Sequence, residues 1–289
     1  MTPDKFEYHR PGTVAEAIAL LGEHGDGARI LAGGHSLVPM MKLRLAIPEH
    51  LIDINRINDL KGIDKQGGEI RIGAATTQAE ALASDLLTEA CPIIAEAAAV
   101  IADPQVRNCG TIGGNVANGD PGNDLPAVMM VLGASYVLAG AGGERTVAAV
   151  DFCHGIYDTA LEPGEMLTEI RIPTPPAGHG YAYRKMKRKV GDFATAATAV
   201  ILEIDGGTCT RAALALSNAG PAPIVAEAAA AALTGKAIDD AAIDAAAEKA
   251  IEIADPVADL HGPVAFRKQM AGEMTRRAVR AALGRAGGG

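Results

Sequence analysis

Two glycine pairs constrain this chain more than anything else in it. Ala32-Gly33-Gly34-His35-Ser36 and Thr111-Ile112-Gly113-Gly114-Asn115 each follow an apolar run, and each carries a hydroxyl residue beside the glycines. A diphosphate needs several N–H donors at close range, and only residues without a Cβ let the main chain come near enough to supply them. Each charge-assisted bond contributes roughly 1.5–3 kcal/mol, so four or five hold a dinucleotide without a lysine. Taken singly, either pair also reads as a tight turn. Ser36 and Thr111 add a hydroxyl donor at each pair. Finding the arrangement twice favours two backbone cradles around one phosphorylated ligand.

The composition narrows the class. A length of 289 residues suits two domains, or one large domain with a smaller companion, and is ample to bury a core. No uncharged apolar stretch approaches the ~20 residues that span a bilayer, and the start MTPDKFEYHR lacks an apolar signal core. A cytoplasmic location is expected, with membrane contact at most peripheral. A net charge of −9 excludes a nucleic-acid backbone as the main partner. The one basic run, Arg184-Lys185-Met186-Lys187-Arg188-Lys189, reads as a solvated strand, a docking patch or a phosphate contact. Cys91, Cys109, Cys153 and Cys209 lie far apart, which leaves no local motif for an iron–sulfur or zinc site. The seven histidines are equally scattered and predict no metal centre. With 3% aromatic residues and no tryptophan, Tyr157, Tyr181, Tyr183 and Phe193 are the candidates for lying against a ring.

Three units are expected along the chain: 1–54, 55–176 and 177–289. In the first, Thr13-Val14-Ala15-Glu16 predicts a capping box into a helix, followed by a strand over 28–32, the first cradle and a strand over 51–54. The second holds an alternating strand at 69–72, a second capping box at Thr77-Gln78-Ala79-Glu80, a helix from Pro92 through Ile101 and the second cradle. Residues 118–124 are too rich in turn formers to be anything but loop. Strands resume near 135–139 and 166–172. Pro173, Pro175 and Pro176 then make the best linker in the sequence. Beyond it, 197–204 and 209–216 predict a hairpin around Asp205-Gly206-Gly207, with helices over 224–233, 238–254 and 264–283.

Neither G-x-G-x-x-G after a strand nor G-x-x-x-x-G-K-[ST] occurs, so a Rossmann or P-loop way of holding phosphate is unsupported. The two cradles must act together, with Asn115 and Asp124 reaching sugar hydroxyls or ring edges. Asp124 also reads as a cap on its own turn.

At these residues the chain resembles the FAD-binding medium subunits of molybdenum-containing hydroxylases. The resemblance runs from Phe6-Glu7-Tyr8-His9-Arg10-Pro11 through both cradles to the helical end. Ala102-Asp103-Pro104-Gln105 and Gly119-Asp120-Pro121-Gly122-Asn123-Asp124 make it most similar to those of aerobic carbon monoxide dehydrogenases. The resemblance implies an α+β fold: a two-part FAD-binding domain of the vanillyl-alcohol-oxidase (PCMH) type, then a C-terminal antiparallel sheet with helices. It implies that Ala32, Gly33, Gly34, His35 and Ser36, together with Thr111, Ile112, Gly113, Gly114 and Asn115, bind FAD through its diphosphate and adenosine. Ile101 is counted with them. Asp124 lies near the flavin or ribityl region, Leu167 and Lys185 approach the isoalloxazine, and Phe193 covers one ring face where relatives also carry a tyrosine.

By the same resemblance the chain is an oxidoreductase subunit with two partner subunits, and the family implies a dimer of heterotrimers. The large subunit holds a molybdopterin cofactor and oxidises CO, and the small one holds two [2Fe–2S] clusters. Electrons pass through non-covalent FAD to a quinone or cytochrome. Alternatives are a medium subunit of the xanthine, nicotinate or aldehyde type, a stand-alone flavin oxidase with FAD linked to His35, and a flavin-free scaffold.

Overall fold

The computed structural model describes residues 2–287. Three larger sheets follow one another along these residues, and a two-stranded ribbon, Cys153–Gly155 with Asp158–Thr159, is inserted within the chain span of the second. The first is parallel, with His50–Asp53 in the centre between Glu7–His9 and Ala28–Leu31. Helix Val14–His24 covers it and buries Ala17 and Leu21 against Ile52, Ile54 and Leu60. The Thr13 hydroxyl accepts from the Glu16 amide at 3.2 Å. The Glu16 carboxylate reaches one residue further back than a reciprocal box requires, accepting from the Gly12 amide at 2.7 Å. Strand Ala28–Leu31 runs out through 32–36 into helix Leu37–Lys42, an element the hydropathy pattern does not announce.

The second sheet is antiparallel, in the order Ile63–Gln66, Glu69–Gly73, Met166–Pro173, Ser135–Gly140, Gly143–Ala148. Its register sets Ile170 between Ile72 and Tyr136, so one face is apolar and meets the helical layer. Those helices start where the sequence provides caps. Thr77 and Glu80 form the full reciprocal box, and Asp103 accepts from the amides of Gln105 and Val106 ahead of Pro104–Cys109. The second glycine pair is no loop: it lies inside helix Ile112–Ala117, with Thr111 as its N-cap.

The third sheet, in the order Gly180–Met186, Ala196–Asp205, Thr208–Ser217, Ile224–Val225, is antiparallel throughout. Its central strand is apolar almost without alternation because both faces are covered. Ala197, Ala199 and Ile201 join the core of the second sheet, whereas Ala196, Val200 and Leu202 pack towards helices Asp240–Ile253 and Val264–Leu283. The expected helix over 224–233 is shorter, Glu227–Leu233, since Ile224 and Val225 pair with Leu216 and Ala215 as an edge strand. No helix of the described residues is long and apolar enough to cross a membrane.

Candidate functional site

The two glycine segments touch. A Cβ built on Gly33 would come within 2.7 Å of the Gly110 Cα, just ahead of the second segment, so Gly33 is the residue that lets the segments close. Gly34 has φ +74°, a left-handed conformation that turns the chain into the following helix. Together they open a cleft of about 890 Å³, within the range of small-molecule and cofactor sites.

Ala32, Gly33, Gly34, His35 and Ser36 form one wall, and Ile101, Thr111, Gly114 and Asn115 the other. Asp124, Lys185 and Phe193 lie along it as well. Ile112, Gly113 and Leu167 do not. The Ile112 amide donates to the Thr76 carbonyl at 2.8 Å and the Gly113 amide to the Ala74 carbonyl at 3.0 Å, so neither N–H faces the cleft. Gly113 serves packing instead, because a Cβ there would meet the Ala74 methyl at 2.6 Å. The Leu167 side chain is buried in the core behind the second sheet.

The donors at the first segment fit an anion. Among the described residues no protein acceptor meets the amides of Gly33, Gly34, His35 or Ser36. Four such N–H groups in one turn are an anion-binding concavity. Opposite them, Gly114 donates to its own N-cap, the Thr111 hydroxyl, at 2.9 Å. Asn115 ties the helix to the next loop: its Oδ1 accepts from the Leu125 amide at 3.2 Å, and its carbonyl accepts from Asn123 Nδ2 at 2.7 Å.

Asp124 does not cap its own turn. Its Oδ2 accepts from Lys185 Nζ at 2.8 Å and its Oδ1 from the Tyr183 hydroxyl, with the Asp124 and Lys185 side chains 5% and 3% exposed. Tyr183 and Lys185 are two apart on strand Gly180–Met186 and therefore face the same way, onto the start of helix Leu125–Val131. Burial pushes the Asp124 carboxyl up from the ordinary carboxylate range, and the Lys185 charge pulls it back. Lys185 thus enters the cleft wall as half of an ion pair.

Two aromatic rings stand at the mouth. Phe193 is half-exposed and leans on Gly122, whose own Cβ would come within 3.0 Å of the ring. Tyr157, at φ +57°, donates its hydroxyl to Asp120 at 3.1 Å. Tyr181 is elsewhere, under the Arg285 guanidinium at 4.5 Å from its ring centre. Sequence reasoning missed Gln78, a cleft residue 3% exposed whose Oε1 is buried with no partner among the described residues. Nothing in a capping-box motif marks its second residue as a ligand contact. Arg29, Asn123 and the 45–48 segment also line the cleft without a sequence signal.

The size of this cleft, its unpartnered backbone amides, the buried Gln78 amide and the aromatic rings at its mouth fit a flavin dinucleotide. Residues 4–175 match the family described as the FAD binding domain in molybdopterin dehydrogenase, and residues 181–282 the CO dehydrogenase flavoprotein C-terminal domain. The chain belongs to this family of FAD-binding flavoproteins. It is 55% identical over 286 residues to the carbon monoxide dehydrogenase medium chain of Afipia carboxidovorans, covering 99% of each. It is 50% identical over 285 residues to that of Hydrogenophaga pseudoflava, again covering 99% of each. Among solved structures, reconstituted CO dehydrogenase from Oligotropha carboxidovorans superposes with a TM-score of 0.98 at 55% identity, covering 99% of this chain and 100% of the other.

Proposed function

We propose that this chain is the flavoprotein subunit of a molybdenum-containing carbon monoxide dehydrogenase, holding FAD non-covalently in the cleft. The observation that carries the reading is the meeting of the two glycine segments with four unpartnered amides on one wall. Whole-length identity to medium chains of CO dehydrogenases supports the choice of substrate for the assembled enzyme. The CO-oxidising centre and the [2Fe–2S] clusters belong to the large and small partner subunits, in a dimer of heterotrimers. FAD supplies the step from single-electron donors to a two-electron carrier, and a quinone or cytochrome is the acceptor.

The chain's own residues position the cofactor. Gly33, Gly34, His35 and Ser36 hold the diphosphate through main-chain N–H groups. Asn115 and Gln78 offer side-chain amides to the adenosine and ribityl hydroxyls, and Phe193 covers a face of the ring system. The Asp124–Lys185 pair keeps the wall beside the ring neutral overall. Ile101 and Thr111 close the opposite wall, where an apolar side chain and a capped helix start exclude water.

The test is reconstitution. Mixed with its large and small partners, the chain should lose its oxidised-flavin absorption on exposure to CO, and alone it should not. Bleaching by xanthine, nicotinate or an aldehyde in place of CO would reassign the complex. His35 lines the same cleft, so acid precipitation completes the test: flavin released to the supernatant is expected, and flavin retained in the pellet would indicate a covalent link.

A further inference from the structure

Three histidines scattered in the sequence converge in the first subdomain. His9 ends strand Glu7–His9, His24 ends helix Val14–His24 and His50 begins strand His50–Asp53. The parallel register sets Glu7 opposite His50, which puts Glu7, His9 and His50 on one face of the sheet. The end of the helix lies over that face. His9 Nε2 is 3.1 Å from His50 Nδ1, and the His24 ring stacks on His50 with centroids 3.7 Å apart. Ring nitrogens of all three fall within 4.8 Å of one another, and a Glu7 carboxylate oxygen is 3.5 Å from His50 Nδ1. None of the four lines the FAD cleft.

We propose that His9, His24 and His50, with the Glu7 carboxylate as fourth ligand, bind one divalent transition cation of the zinc type. Neutral imidazole is a preferred ligand of such cations, and a tetrahedral ion at about 2.0–2.1 Å from each nitrogen separates its ligands by roughly 3.3 Å. The 3.1 Å between His9 and His50 is close to one such edge. His24 must turn, because rings stacked within 7° of parallel cannot both point at one ion in their planes. It is free to do so. Its ring nitrogens have no hydrogen-bond partner among the described residues, and it is half-buried at the last position of its helix. The C-terminal end of an 11-residue helix adds partial negative charge where the cation would sit. Three elements supply the ligands, so the ion clamps the helix onto the sheet whose edge strand leads into residues 32–36.

The experiment uses the untagged full-length chain, freed of metal with a chelator and titrated calorimetrically with ZnCl2 alone. One equivalent per chain is expected, and Co2+ should give the intense visible bands of a tetrahedral site. His24→Ala should weaken Zn2+ affinity about tenfold or more while leaving FAD content unchanged. His50→Gln should do the same. If that variant fails to fold, His24→Ala decides alone, since it removes only a half-buried ring at a helix end. Absence of saturable Zn2+ binding, or undiminished binding by His24→Ala, would overturn the site and leave three imidazoles that merely stack.

Discussion

Lys185 Nζ lies 2.8 Å from the Asp124 carboxylate across 61 residues of sequence, with both side chains almost wholly removed from solvent. The pair joins the third sheet to the loop that closes the cleft, so it is both a fold contact and a source of two opposed charges on the cleft wall. Removing one partner leaves the other buried and unpaired, which costs about 3–5 kcal/mol in comparable sites. Lys185→Met and Asp124→Asn should each destabilise the chain strongly. The double variant should recover much of the loss, as read by urea unfolding. The singles should also shift the flavin potential in opposite directions, down for Lys185→Met and up for Asp124→Asn, on the order of 30 mV, equivalent to ~1.4 kcal/mol for a two-electron couple. Equal shifts of one sign would show that the pair does not face the flavin.

Gly33→Ala tests the closure of the two segments. The added methyl points at the backbone of Cys109 and Gly110, which cannot move without shifting helix Pro104–Cys109. Overpacking of this kind costs about 1–3 kcal/mol. Loss of most bound FAD with near-native circular dichroism is expected, measured as the ratio of flavin to protein absorbance. Gly62→Ala is the control: φ is +107° there but the space is open, so strain without a clash should spare flavin content.

The sequence made some of this legible and hid the rest for identifiable reasons. Local signals survived. The Thr77–Glu80 capping box and the hairpin turning at Gly206-Gly207 form where composition and spacing put them. The phosphorylated ligand read from the glycine pairs, and the FAD implied by the resemblance, agree with the family the chain belongs to. Helix Ile112–Ala117 was illegible because Gly113 and Gly114 oppose helix propensity, and a tertiary contact with Ala74 outweighs it. A second Gly-Gly pair therefore looked like a loop equivalent to the first. Lys185 read as a free cation because its partner sits on a distant loop. The histidines read as scattered because only the parallel pairing of strands some forty residues apart sets His9 beside His50.

Glu165 provides a pH-dependent contribution to stability. Its carboxylate takes two hydrogen bonds at 2.7 Å from Arg145, which also holds the Ala160 carbonyl next to Leu161 of the cleft wall. The Arg145 side chain holds Glu165 below its ordinary value of 4.5. A depressed carboxylate favours the folded state above its unfolded pKa, and that advantage disappears as pH falls through the folded value. Glu165→Gln should therefore lower Tm at pH 7, and its Tm should converge on that of the parent in acid below 4.5. Parallel Tm profiles across that range would remove the pair as the cause.

Phe193 separates binding from folding. Its ring is 48% exposed and rests on Gly122 at the cleft mouth, so little core packing depends on it. Phe193→Ala should leave the urea midpoint of the flavin-free chain within error of the parent. If the ring covers one face of the bound flavin, its loss removes an aromatic contact and admits water, and FAD affinity should fall about tenfold, or ~1.4 kcal/mol. Phe193→Tyr keeps the ring and should keep the affinity, because the added hydroxyl can remain in solvent. Titrating flavin-free protein with FAD and following the quenching of flavin fluorescence measures the parent and both variants on one scale. An unchanged affinity in Phe193→Ala would place the flavin deeper in the cleft, against Ile101 and Asn115, with the aromatic residue left outside it.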